Sequence, residues 1–238
     1  MNTKLLSALA ATAAATALFG AGSPAQAFSF GTNGITFSQD QDVKFKFKES
    51  HGGYTSSLGI YQVNGFTLAN VAKLFSETKS SDDGSANEWK GTLGNTVTGS
   101  GEVVFRFLAN QVYTLGLSST FGEASKGMVY STSGLNLNVA STGSQQAVFG
   151  AAPLWSALNT AATNSFGDAG KFTSGVGSLF SGGTVISFDD RGGGNDADFQ
   201  DFTVSAEAVP EPMTMTGLAL GLGGLVAARR RRASKTTS

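Results

Sequence analysis

The chain has 238 residues with near-balanced charge (16 basic, 17 acidic), one histidine and no cysteine. Disulfides and thiol catalysis are thereby excluded, and so is a multi-histidine zinc site. Thirty-two glycines and eighteen phenylalanines, with 14% charged residues, point to short strands joined by tight turns.

Lys4 supplies a positive start, Leu5–Gly20 an apolar run, and Ala25-Gln26-Ala27 a small-x-small cleavage site. That order predicts a secretory signal peptide over 1–27, passed through the Sec translocon and cut by signal peptidase after Ala27. A buried helix would need an amphipathic pattern, which this Ala-rich stretch lacks. Of the 16 basic residues, Lys4, Arg229–Arg232 and Lys235 lie outside Phe28–Pro212; the ten left face all 17 acidic ones, a net charge of −7. Nucleic acid is therefore not an expected partner, whereas a cation is.

Phe28–Phe37 reads as a short strand or loop. In Asp42–Lys48, Val43, Phe45 and Phe47 alternate with Lys44, Lys46 and Lys48, which predicts a half-buried strand with a solvated basic face. That face is also open to an acidic polysaccharide. His51-Gly52-Gly53 predicts a turn and Leu58–Val63 a strand. Thr67 is placed to cap a short helix whose Leu68, Val71, Ala72 and Phe75 follow i, i+3, i+4, i+7. Ser80–Ala86 predicts a polar loop in which Asp82 and Asp83 serve a turn rather than a ligand set, and Asn95–Gly101 a glycine-punctuated turn.

Glu102–Phe107 and Val112–Leu117 read as a hairpin closed by Ala109-Asn110-Gln111, with Val103, Phe105 and Phe107 inward. Met128–Ser131 and Leu135–Val139 read as a second pair. Pro153 opens a helical turn carrying Trp155 and Leu158. Ser165–Gly183 is a glycine- and serine-rich connection. Thr184–Phe188 and Phe199–Ala206 are closing strands, the second with Phe202, Val204 and Ala206 on one face. The expected fold is mainly β: an antiparallel, jelly-roll-like β-sandwich over 28–208 with one or two short helices.

Asp189, Asp190, Asp196, Asp198 and Asp201 fall within thirteen residues around Gly192-Gly193-Gly194. Carboxylates so close repel one another, and a hard divalent cation relieves that repulsion. Calcium, which takes oxygen ligands only, is the expected ion; a solvated acidic turn neutralised by Arg191 is the alternative. The spacing lacks the distal glutamate of an EF-hand. The run Ile186–Asp190 followed by Gly193-Gly-Asn-Asp-Ala-Asp-Phe-Gln-Asp-Phe202 resembles the closing signature of a domain of unknown function in bacterial surface and secreted proteins. Tyr54–Asn64 is similar to an earlier element of that family, so the resemblance spans Val43–Ala206. It implies a β-rich, calcium-binding domain without an established activity. Gln200 stands where the pattern has Asn, and Asn195 is inserted.

At the far end come Val209-Pro210-Glu211-Pro212, the uncharged Met213–Ala228, and Arg229, Arg230, Arg231 and Arg232. The prolines favour an exposed, extended peptide. As a helix at about 1.5 Å per residue, the apolar run falls a little short of a hydrocarbon core of about 30 Å, a gap that snorkelling arginines and local thinning can cover. The arginines stay cytoplasmic, and 233–238 forms a cytoplasmic tail. Pro210-Glu211-Pro212, the glycine-rich Gly217–Ala228 and Arg229–Arg232 resemble the PEP-CTERM sorting signal over 209–232. That resemblance implies recognition by an exosortase, a membrane-embedded cysteine peptidase, with removal of the tail. A plain C-terminal anchor is the alternative, although an anchor alone needs no Pro-x-Pro.

Catalysis finds little support. A serine triad would have to use His51, no G-x-S-x-G elbow precedes a helix, and the acids cluster in one loop rather than across a cleft. The expected function is a non-enzymatic surface or matrix protein, transiently membrane-anchored and stiffened by Ca2+. The alternative is a module binding extracellular polysaccharide through an aromatic face such as Trp89, Tyr113 or Tyr130.

Overall fold

The computed structural model describes residues 27–82, 90–136, 145–151, 179–190 and 199–210. The first five strands are β1 (Phe28–Gly31), β2 (Gly34–Phe37), β3 (Gln41–His51), β4 (Thr55–Asn64) and β5 (Thr67–Ser76). Then come β6 (Lys90–Gly91), β7 (Glu102–Phe107), β8 (Tyr113–Phe121) and β9 (Ala124–Tyr130). The last are β10 (Ala147–Ala151), β11 (Thr184–Phe188) and β12 (Phe202–Ala208). They form two six-stranded antiparallel sheets. The first runs β1-β2-β8-β4-β5 with β9 also on β8; the second runs β10-β11-β12-β3-β6 with β7 also on β3. Inward side chains of both sheets make one core, the arrangement of a β-sandwich.

Strict alternation places β3. Val43, Phe45 and Phe47 are buried, while Lys44, Lys46 and Lys48 face outward. The outward face is not a bare basic row: Lys46 pairs with Glu102 at 2.6 Å and Lys44 with Glu207 at 3.7 Å, across the strands flanking β3. Register carries the alternation across the sheet, matching Phe45 to Ala206 on one side and Val103 on the other. Phe107 joins the sheets: its ring lies 5.5 Å from Phe37, 6.3 Å from Phe45 and 5.1 Å from Tyr113. Such tilted and edge-on aromatic contacts add to the area they bury.

Three expectations are overturned. Residues 67–76 are a strand, β5, paired with β4, not a helix. Two register shifts in this pairing make Leu58, Ile60 and Gln62 face Phe75, Ala72 and Ala69. Of the four apolar residues that suggested a helix, Phe75 and Ala72 thus face alternate residues of β4 although they are three apart, while Val71 is exposed.

The second concerns β7 and β8, which form no hairpin with each other. β7 pairs with β3 and β8 with β4, so Leu108–Val112 crosses between sheets, with Asn110 in the left-handed region (φ 59°). Both strands carry an apolar face, and a short connection serves an arch between layers as readily as a hairpin within one. The third is that Met128–Tyr130 belongs to β9 and pairs with β8; Leu135 sits in a 3-10 turn, Ser133–Leu135. Residues 137–139, the helical turn expected at Pro153 and most of Ser165–Gly183 lie outside the described residues.

Elsewhere Asp82 accepts hydrogen bonds from the Thr92 N–H (2.9 Å) and hydroxyl (2.8 Å), ten residues on, while Asp83 lies outside the described residues. Among the described residues no helix is long and apolar enough to cross a membrane. The expected signal peptide up to residue 26 and the apolar run 213–228 lie outside them.

Candidate metal centre

β11 and β12 are antiparallel neighbours, with Phe188 opposite Phe202. Continuing that register one residue outward sets Asp189 against Asp201, so the two stems of the acidic loop meet at one pole of the sandwich. Strand β3 closes a third side. Ser50 pairs with Phe202, and the His51 N–H donates to the Asp201 carbonyl at 3.1 Å. Gly52 then turns the chain at φ +103°, and a Cβ there would stand 3.2 Å from Asp201 Oδ1. Glycine meets both demands, a left-handed backbone and room for the carboxylate.

Asp189 is fully buried, Asp190 nearly so, and Asp201 half-buried. One carboxylate oxygen from each lies within 4.8 Å of the others. The backbone is tied as well: the Asp190 N–H donates to Asp201 Oδ2 at 2.8 Å, and the Asp189 N–H to the Gln146 carbonyl at 3.1 Å. Two residues before Asp201, Phe199 is buried with φ 44°. A bulky residue in the left-handed region is strained, and here the buried ring holds the returning limb of the loop in place. Buried charge is costly unless it is paired or coordinates a metal. Three carboxylates with only oxygen to offer suit a hard cation, so this cluster can hold a metal ion.

Of the five expected aspartates, the fold brings Asp189, Asp190 and Asp201 together. Asp196, Asp198 and Arg191 lie outside the described residues. A further acid, Glu77, is recruited from the distant end of β5. Its carboxylate accepts from the Ser50 hydroxyl of β3 and from the Ser56 N–H of β4 at 2.7 Å, linking the two sheets. Burial pushes its pKa up to about 7, and the charge of Asp190 adds to the rise. Nothing local in the sequence marks Glu77, since its partners lie 27 and 21 residues away.

Of the residues named for an aromatic face, the fold removes Tyr113. Tyr113 is a core residue, 3% exposed, whose hydroxyl accepts from the Leu108 N–H at 3.3 Å. Tyr130 is half-buried edge-on to Tyr61, and Trp89 lies outside the described residues. The exposed aromatic at the acidic pole is instead Phe121, packed on Tyr54 at 5.8 Å with the Lys126 ammonium 5.6 Å from its ring centre.

Of the processing motifs, Ala27 is exposed, and its carbonyl accepts from the Ser38 N–H at 2.9 Å. Val209 is half-buried: its N–H donates to the Asp42 carbonyl at 2.8 Å, and its carbonyl accepts from the Gln41 side chain at 3.2 Å. The exposed peptide therefore starts at Pro210 rather than Val209. Ala25, Glu211, Pro212 and Arg229–Arg232 lie outside the described residues.

No family model, curated protein or solved structure matches the chain.

Proposed function

We propose that this is an exported, non-enzymatic surface or matrix protein. It crosses by the Sec route, loses its signal peptide after Ala27, and is trimmed at Pro210-Glu211-Pro212 by an exosortase while its apolar run sits in the membrane. The supporting observation is the fit between strand limits and motifs. β1 starts at Phe28, directly after Ala25-Gln26-Ala27, and β12 ends at Ala208, with only Val209 before Pro210-Glu211-Pro212. The C-terminal motif then begins beyond the last strand, where a peptidase reaches backbone without unfolding one. The Ala27–Phe28 bond instead adjoins β1, whose ladder the Ala27 carbonyl extends to the Ser38 N–H, so signal peptidase acts before β1 and β2 pair.

Calcium is the ion proposed for Asp189, Asp190 and Asp201. The all-oxygen donor set supports it, as does the tolerance of calcium for irregular coordination by loop carboxylates. Asp196 and Asp198 belong to the same loop and are its further candidate ligands. The ion would staple the ends of β11 and β12 to each other beside the end of β3, a structural role and not a catalytic one.

The sorting reading is tested in the native host by replacing Pro210, Glu211 and Pro212 with alanine. The expected outcome is a longer, membrane-retained species. Mass spectrometry of the C-terminus then finds Arg229–Arg232 still attached in the variant and absent from the wild type. Identical processing of both would dispose of the exosortase.

A further inference from the structure

The strand directions give the sandwich two unlike poles. The acidic cluster, Gly52 and Phe121 lie at one, where β3 and β8 end. At the other, β3 and β8 begin and β12 ends, so the chain leaves the domain there at Val209 and Pro210. That exit pole carries exposed apolar tips. Phe66, in the turn between β4 and β5, is fully exposed, and Leu108, Val112 and Phe180 are 49%, 42% and 48% exposed. The backbone places the Phe66 turn beside Val112, and Phe180 beside the point where the chain leaves. Val112 accepts from the Val63 N–H at 2.8 Å, and Leu179, beside Phe180, accepts from the Ala208 N–H at 2.9 Å.

We infer that the exit pole rests on the lipid bilayer, with Phe66 as its deepest tip, so that the acidic pole points away from the membrane. The inference rests on the reading that Met213–Ala228 lies in the bilayer, and the length of the connecting chain then decides the distance. Val209 is bonded to the start of β3, leaving only Pro210-Glu211-Pro212 before the apolar run. Three extended residues span about 10 Å. The headgroup layer is itself roughly 5–8 Å thick on each side. A pole tethered that closely meets the interface, where apolar side chains leave water.

The chemistry fits a neutral lipid surface. Asn64, Gly65, Asn110 and Gln111 beside the tips are uncharged, Asp40 is engaged by the Ala109 N–H at 2.9 Å, and Asp42 is paired with Arg106 at 3.0 Å. Among the described residues the lysines nearest this pole, Lys44 and Lys46, are paired with Glu207 at 3.7 Å and Glu102 at 2.6 Å, so phosphatidylcholine is the lipid to test.

The absence of cysteine makes a direct test simple. Full-length chains carrying Phe66→Cys, Phe121→Cys or Leu220→Cys are nitroxide-labelled and placed one copy per phosphatidylcholine nanodisc. Accessibility to an aqueous nickel reagent is compared with accessibility to oxygen, which concentrates in lipid. The expected result is a lipid-facing label at 220, a water-exposed label at 121, and several-fold lower nickel accessibility at 66 than at 121. A lipid-facing label at 220 with equal exposure at 66 and 121 overturns the contact and leaves the anchor standing. A water-exposed label at 220 overturns both. Shielding at 66 only when two copies share a disc assigns the pole to a second copy, and the lipid contact falls.

Discussion

Glu77 shows how one buried carboxyl sets a pH response. Its ordinary pKa of 4.5 rises to about 7 in the fold because burial penalises the anion. Between these values the unfolded chain has released its proton while the folded chain keeps it. Stability therefore falls as pH rises from about 4.5 to about 7 and is flat above, a loss on the order of 3 kcal/mol. When protonated, Glu77 donates to the Ser50 hydroxyl and still accepts from the Ser56 N–H; glutamine reproduces that pattern. In urea unfolding with EDTA at pH 5 and pH 8, Glu77→Gln is expected to remove this decline. At pH 8 the variant should be more stable than wild type by up to about 3 kcal/mol. A wild-type decline no steeper than the variant's would refute the assignment. None of this was legible in the sequence, because Ser50, Ser56 and Glu77 meet only after two sheets have formed.

At the scale of elements, β5 is the instructive case. Its apolar spacing satisfied a helix, yet hydrogen bonding to β4 through the Asn64–Thr67 turn makes it a strand, with Gly65 at φ 61°. Exposed Ala69 lies opposite Gln62 on this edge strand. Ala69→Thr is expected to raise stability by up to about 1 kcal/mol, since threonine suits a strand, whereas in a helix the same change would lower it. Thermal unfolding followed by circular dichroism reads the sign. β7 and β8 teach a related lesson: the inward face of β7 was plain in the sequence, but not that a five-residue connection would carry the chain into the opposite sheet. Alternation reports which face is inward and is silent about which neighbour lies alongside.

At the scale of the whole molecule, the acidic pole is where stability should answer to metal. If calcium ties Asp189, Asp190 and Asp201 together, free calcium about a hundredfold above its dissociation constant adds about 2.7 kcal/mol. For a domain of this size that corresponds to a rise in Tm of roughly 5–10 °C. EDTA should reverse it, and Asp201→Asn, which keeps an acceptor for the Asp190 N–H, should abolish the response at little cost to the fold. A Tm indifferent to calcium and EDTA in the wild-type protein would exclude a structural ion.

What the sequence determined by itself was local: the β class, the inward faces of β3, β7 and β12, and the concentration of aspartates between the last two strands. Burial parity and turn chemistry are written in neighbouring residues, and these can be read without knowing the partner. Only the tertiary structure decided which strands pair, that Tyr113 is core, that Glu77 joins the acidic pole, and that the apolar tips lie at the pole where the chain leaves. Each of these depends on contacts between residues tens of positions apart, which two sheets closing on one core bring about and no local pattern encodes.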